Sequence, residues 1–149
     1  MMDVYLREAD MDDAEDVLKW RNDEVTRANS FNREKISLMS HLKWFEKKLG
    51  QEGCYMFILM DGQKKVGHIR VDVTDDFGEI SYMIAPDARG RGYGTKAIGL
   101  VEKEMPREVK SLMGLTLKTN AASGRCFEKN GYTSSDAGDA LCYSKSIDR

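Results

Sequence analysis

Apolar positions along this chain change their period several times, and each change marks an element. Val4-Tyr5-Leu6-Arg7 reads as a short first strand. Asp10 follows as a helix N-cap with Asp12 and Asp13 in the first turn, and Met11, Ala14, Val17, Leu18 and Arg21 recur at helical spacing. A second helix is predicted over 33–49, where Ile36, Met39, Trp44, Phe45 and Leu49 share a face and Gly50 supplies the stop. The period then falls to two. Residues 54–60 form an apolar run closed by Asp61-Gly62, a hairpin signal. Residues 66–73 alternate with one slip of phase near Gly67, and 77–85 form a third strand ending at Pro86. Connections this short predict an antiparallel meander.

Beyond Pro86 the pattern turns helical again. Gly90, Gly92 and Gly94 precede a helix from Thr95 that stops before Pro106, and 112–119 reads as a strand. A short helix over 120–129 is closed by Asn130-Gly131. Tyr132 and 141–147 supply the last two strands, joined by a loose Ser/Asp/Gly loop. The order β-α-α-β-β-β-α-β-α-β-β predicts one α/β domain over 1–149. Its sheet is mixed and mostly antiparallel, with a parallel pair at the β-α-β step.

Composition narrows the chemistry mainly by exclusion. A net charge of −2 argues against a nucleic-acid or membrane-surface binder, both of which need a basic excess. Three scattered cysteines and two distant histidines suit neither a disulfide framework nor a metal centre, so no metal is expected. The opening residues show no basic start followed by an apolar stretch, and no apolar run is long enough to span a bilayer; a cytoplasmic location is the expectation. The oligomeric state stays open.

The informative stretch is Ala85-Pro-Asp-Ala-Arg-Gly-Arg-Gly-Tyr-Gly-Thr95, set between a strand and a helix. Closely spaced glycines let backbone N–H groups turn toward one point, and the following helix start adds unsatisfied N–H groups and a positive dipole end. The combination suits a pyrophosphate, with Arg89 and Arg91 adding charge. Thr95 stands where the dinucleotide fingerprint needs glycine, and Gly94-Thr95-Lys96 has the wrong order for a P-loop.

Arg89-x-x-Gly92-x-Gly94 resembles the acyl-CoA signature of the GNAT superfamily of N-acyltransferases. Asn120-Ala-Ala-Ser-Gly-Arg-Cys-Phe-Glu-Lys-Asn-Gly131-Tyr132 is similar to that family's second motif, and the element order matches its fold over essentially the whole chain. The resemblance implies a sheet splayed after the fourth strand, with acetyl-CoA as co-substrate lying in the opening. It assigns the backbone of Met83, Ile84 and Ala85 to pantetheine. The segment Arg89, Gly90, Arg91, Gly92, Tyr93, Gly94 and Thr95 takes the pyrophosphate, and Asn120 and Phe127 flank the thioester arm. The reaction implied is direct attack of an amine on the thioester. It needs a base for the amine, an N–H donor for the developing oxyanion, and a proton for a thiolate whose parent thiol titrates near about 8.5. Glu79 is the candidate base. Phe127 stands where many members carry the tyrosine acid, so Ser123 becomes the candidate acid, with Tyr82 and Tyr143 as substitutes. Cys126 reads as a small core residue.

The acceptor side is implied by the same resemblance. Trp20-Arg21-Asn22, Val25-Thr-Arg27, His41-x-x-Trp44-Phe45 and Gly67-His68-Ile69-Arg70 look like the PseH-type subgroup, which acetylates the 4-amino group of UDP-linked sugars. Arg21, Asn22, His41, Trp44 and Arg70 are the candidate acceptor residues: an indole can stack on a uracil or sugar face, and arginines can meet a diphosphate. Two alternatives stand beside this small-molecule acceptor. One is a RimJ/RimL-like acetyltransferase of protein N-termini. The other is an acetyl-CoA-binding module without turnover, which Phe127 keeps open.

Overall fold

In a computed structural model, residues 2–147 are described; residues 1, 148 and 149, the ends of the expected 1–149 domain, lie outside them. Seven strands form one sheet: β1 (Val4–Glu8), β2 (Cys54–Asp61), β3 (Lys64–Thr74), β4 (Phe77–Ile84), β5 (Ser111–Leu117), β6 (Thr133–Ala137) and β7 (Ala140–Ser146). Their spatial order is β1-β2-β3-β4-β5-β7-β6. Every neighbouring pair is antiparallel except β4 and β5. The parallel pair falls at the β-α-β step, because a helix crossover is the connection that returns a chain in the same direction.

Among the described residues there are five α-helices, α1 (Ala14–Arg21), α2 (Glu24–Ala28), α3 (Leu38–Leu49), α4 (Tyr93–Glu104) and α5 (Ala121–Lys129), and all but the short α2 pack on this sheet. Strand alternation sorts them by face. The His68 ring meets Phe45 of α3, whereas Tyr82, paired across the strands with the next residue, Ile69, lies against Gly94 of α4. So α1 and α3 cover one face and α4 and α5 the other. The core fills both layers, with Phe45, Ile58, Leu59, Ile69, Ile98, Leu112 and Phe127 almost wholly inside.

Several boundaries differ from the sequence reading, each for a physical reason. The second helix begins at Leu38, not 33, because the Ser37 hydroxyl caps it by accepting from Ser40 N–H. Residues 29–37 are a loop. The short α2 was not anticipated: none of its residues is buried, so it leaves no apolar period in the sequence. Its start is fixed by Asp23, which accepts from Val25 and Thr26 N–H at 3.1 Å each. The phase slip near Gly67 is a β-bulge: Leu59 pairs with Gly67 but Met60 with Lys65, leaving Val66 extra. The expected loose Ser/Asp/Gly loop is instead strand β6 and a tight turn, with Thr133–Ala137 fully paired to β7.

One buried charge ties the first helix to the sheet. Asp13 is 1% exposed, and its carboxylate meets Arg7 at 2.8 Å and Lys65 at 2.7 Å. Burial pushes its carboxyl up; the Arg7 and Lys65 hydrogen bonds and the Asp10 N–H outweigh this and hold it well below the ordinary carboxylate range.

Among the described residues no helix is long and apolar enough to cross a membrane, and no group of His, Cys, Asp or Glu could hold a metal ion.

Candidate active site

The opening begins where β4 loses its partner. β5 pairs with β4 only from Phe77 to Ile80, so 81–84 keep one free edge. Ala85 N–H donates to Val66 O at 2.8 Å, on the β3 side. By the alternation of an antiparallel ladder, Met83 also faces β3, while the N–H and C=O groups of Tyr82 and Ile84 face the opening. This corrects the expectation for Met83 and Ala85: their N–H groups are turned to β3, and Ile84 and Tyr82 offer the free ones.

Next to this edge lies the start of α4. Gly90 and Gly92 hold φ of 77° and 81°, the left-handed region open to glycine, and Gly92 is the N-cap residue. No side chain caps the helix, so the first amides of Tyr93, Gly94 and Thr95 remain for a ligand. Arg91 is exposed beside them. The Tyr93 side chain points away and is buried, its hydroxyl donating to Asp61 at 2.5 Å. Arg89 is not a free cation here. Its Nη2 donates to Asp23 Oδ2 at 2.6 Å and to Thr26 Oγ1 at 2.8 Å, joining the loop before α4 to α2.

The second motif forms the far wall. Asn120 caps α5, its Oδ1 accepting from Ser123 N–H at 3.3 Å. Ser123 Oγ and the Tyr82 hydroxyl lie 2.8 Å apart, which brings two of the three expected catalytic side chains together. Burial pushes the Tyr82 phenol well above its usual range, so it stays protonated. Glu79 is exposed and lines a cavity of about 270 Å³ together with Ser81, Tyr82, Asn120 and Ser123. Phe127 touches that cavity, but it is 2% exposed and stacks on Tyr143 with ring centroids 5.4 Å apart. It is chiefly a core residue. Tyr143 is buried behind it and is removed as a substitute acid.

A larger cavity, about 360 Å³, opens between α1, α3 and β3–β4. Arg21, His41, Trp44 and Arg70 line it as the sequence suggested, joined by His68, Thr26, Ser30 and Ser81. The roles divide sharply. His41 Nε2–H donates to Ala14 O at 2.8 Å, so this imidazole is a structural tie. Asn22 is turned away: its Nδ2 donates to Ile36 O at 2.8 Å and its Oδ1 accepts from Ile36 N–H at 2.9 Å, pinning the 29–37 loop. Arg70 sits 5.0 Å from the Trp44 ring centroid, a cation–π contact, and its Nε donates to Asp72 at 2.8 Å. Both cavities share Tyr82 and Ser30 with a slot of about 190 Å³ along the free β4 edge, where Arg89 and Asn120 also lie. They therefore form one depression centred on Tyr82. Ser30 and Ser81 were invisible in the sequence, since a serine in a loop or strand carries no period and no motif.

A model of the acetyltransferase (GNAT) domain family matches residues 3–133. No curated protein matches. Among solved structures, a domain from Methanocaldococcus jannaschii superposes with a TM-score of 0.85 at 21% identity, covering 98% of this chain and 99% of that one. Spermidine N-acetyltransferase from Vibrio cholerae, in complex with CoA and spermine, gives 0.87 at 14% identity over 97% of this chain and 95% of that one. The aminoglycoside acetyltransferase AAC(6')-Ib, in complex with ribostamycin and CoA, gives 0.83 at 20% identity over 96% and 93%. With a splayed β4–β5 edge and an uncapped glycine-led helix beside it, the chain belongs to the GNAT acetyltransferase family. It is an acetyl-CoA-dependent N-acetyltransferase of the GNAT type.

Proposed function

We propose that this enzyme acetylates the primary amine of a negatively charged small molecule, most concretely the 4-amino group of a UDP-linked sugar. One observation carries the reading: the acceptor-side cavity is lined by Arg21 and Arg70 and by no carboxylate among the described residues. A polyamine or aminoglycoside, being polycationic, would meet like charge there.

Acetyl-CoA supplies the activated acetyl group as a thioester. The chain supplies position and protons. The amides at the start of α4 hold the pyrophosphate, and the free groups of Tyr82 and Ile84 hold the pantetheine arm. One of those free N–H groups meets the carbonyl oxygen as negative charge develops on it. Glu79, exposed in the adjoining cavity, takes the amine's proton through water. Ser123 gives a proton to the departing sulfur as the Tyr82 hydroxyl 2.8 Å away passes it another and itself takes one from water in the depression, so neither hydroxyl is left ionised. This pair does the work that a tyrosine in the Phe127 place would otherwise do.

The test is acetyl transfer to a UDP-4-amino-4,6-dideoxy sugar, to peptides with free N-termini and to spermidine, with products read by mass. Turnover of the sugar nucleotide is expected. Turnover of peptides or spermidine in its place would overturn the acceptor assignment.

A further inference from the structure

The cavity of about 270 Å³ beside Tyr82 passes through the sheet. Strand pairing fixes the side from which each wall comes. Ser81 stands opposite Arg70, whose guanidinium lies over Trp44 of α3. Glu79, Ser81 and the residues in line with them on β5, Met113 and Leu115, therefore face the α1–α3 side. Ile80 is in register with Gly114, which packs under the Phe127 ring of α5, so Ile80, Gly114 and Thr116 face the other side. Leu115 and Glu79 line the cavity from one face, and Ile80, Thr116 and Phe127 from the other. The opening exists because β4 and β5 part after Ile80 and Gly114. On the α1–α3 side it ends at two large apolar side chains in contact with water, Leu115 at 39% and Phe31 at 61% exposure. The serines of its wall are already engaged. Ser30 Oγ donates to Thr26 O at 2.6 Å, Ser81 Oγ accepts from Arg70 Nη2 at 3.4 Å, and Ser123 pairs with Tyr82. What this wall still offers a ligand is chiefly apolar area.

With pantetheine along the free edge of β4, the thioester arrives at Tyr82. There this opening meets the cavity of about 360 Å³, the two sharing Ser30, Ser81 and Tyr82. Sulfur comes to the reacting carbon from the slot along β4, and the amine comes from the larger cavity. The acyl substituent is left with the opening through the sheet. An acetyl methyl, about the size of one water at about 30 Å³, covers a small part of it. We propose that the opening is an acyl-chain subsite for short unbranched acyl groups longer than acetyl, butyryl above all, and that the enzyme transfers butyryl from butyryl-CoA as well as acetyl. Ile80 and Phe127 form the floor of the subsite, and Leu115 and Phe31 flank the end of the chain. The three carbons beyond the carbonyl take about 90 Å³, which leaves room for the water through which Glu79 works. The step balances as it does for acetyl. The amine nitrogen bonds to the acyl carbon, the C–S bond breaks, the amine's proton goes to Glu79 through water, and CoA leaves as a thiol with the proton from Ser123. This subsite rests on the placement of pantetheine above and not on the identity of the acceptor.

The test is calorimetric titration of the whole protein with CoA, acetyl-CoA and butyryl-CoA, which needs no acceptor. Butyryl-CoA is expected to bind about 5-fold more tightly than acetyl-CoA: a fully buried methylene gains about 4-fold, and two of them lie here against a half-open wall. Leu115→Trp sets an indole in the opening and should remove that gain, with affinities for CoA and acetyl-CoA within a factor of two. Phe31→Ala, on the exposed loop, should remove part of the gain without filling any space. Unchanged melting temperatures show that both variants are folded. With the UDP-4-amino-4,6-dideoxy sugar as acceptor, a butyrylated product should appear by mass, and Leu115→Trp should lower kcat/KM for butyryl-CoA about 5-fold relative to acetyl-CoA. Butyryl-CoA bound no more tightly than acetyl-CoA, or a difference unmoved by Leu115→Trp, would overturn the subsite. Transfer of acetyl without butyryl would overturn the second activity. Failure of CoA itself to bind would overturn the pantetheine placement and the subsite with it. Butyryl-CoA bound as expected, with neither acyl group transferred to the sugar nucleotide, would keep the subsite and overturn the acceptor assignment alone.

Discussion

On the proposed mechanism Ser123 and Tyr82 act as one device, and their variants should show it. Ser123→Ala is expected to lower kcat by about 10²-fold, the lower range for general acid catalysis, with KM for acetyl-CoA within a factor of three. Tyr82→Phe should cost nearly as much, and the double variant little more than either alone, because both act on one proton; steady-state kinetics on the three proteins reads the non-additivity. Replacing Phe127 by tyrosine should not restore an acid. Its ring is packed onto Gly114, where an added Cβ would overlap the ring, so a hydroxyl there overpacks the core. Phe127→Tyr should lose about 1–3 kcal/mol in denaturant unfolding and gain no rate. Gly92→Val is expected to abolish acetyl-CoA binding by calorimetry. A β-branched residue resists φ of 81°, and its side chain would stand where the backbone must approach the pyrophosphate. This placement was partly written in the sequence. Ser123 and Tyr82 were both candidates, but a residue string cannot show that they lie within hydrogen-bond distance. Asn22 and His41 looked like acceptor ligands because polar side chains on a helix carry no sign of which way they face.

Elements with a buried stripe were legible and elements without one were not. β2, β3 and β4 and helices α1, α4 and α5 follow apolar periods and caps to within a few residues. α2 and β6 have no buried residue, so nothing repeats in their sequence. Backbone pairing alone makes β6, and Lys118 pairs with Asp136 upon it. The tie between α1 and the sheet makes its own prediction. Asp13 has a folded-state pKa below its unfolded value, so its stabilisation is present above the unfolded pKa of about 3.9 and drains away as pH falls through the lower folded value. Chemical denaturation at descending pH should show wild-type stability falling below about pH 4, with Asp13→Ala less steep over the same interval. At pH 7 that variant should be less stable by about 2–3 kcal/mol, under the loss for a fully buried pair because Arg7 and Lys65 both keep some water.

The architecture as a whole was the most legible level. Two glycine-bearing motifs on the right elements, with a meander before them and a β-α-β step between them, admit few topologies. The splay itself follows from unequal strand partners: β5 runs beside β4 for four residues and then continues with β7. What composition could not reveal is the local sign of charge. A chain of net charge −2 concentrates Arg21 and Arg70 at one cavity, and only the fold brings together residues so far apart in the chain.

The Arg89–Asp23 link has a kinetic corollary. α2 has no fully buried side chain, and its most distant polar tie in sequence runs to the loop before α4. Thr26 of that helix also lines the cavity of about 360 Å³ proposed to take the acceptor. On the proposed binding mode, acetyl-CoA seated at the start of α4 would hold the loop, the loop would hold α2, and the second substrate would then meet a finished surface. Addition should therefore be sequential, with acetyl-CoA leading, and initial-rate patterns with CoA as product inhibitor should read that order. Asp23→Asn should raise the acceptor KM about 5-fold, the yield of one partly exposed ion pair, and loosen the order toward random. An ordered pattern surviving in Asp23→Asn would place the coupling elsewhere.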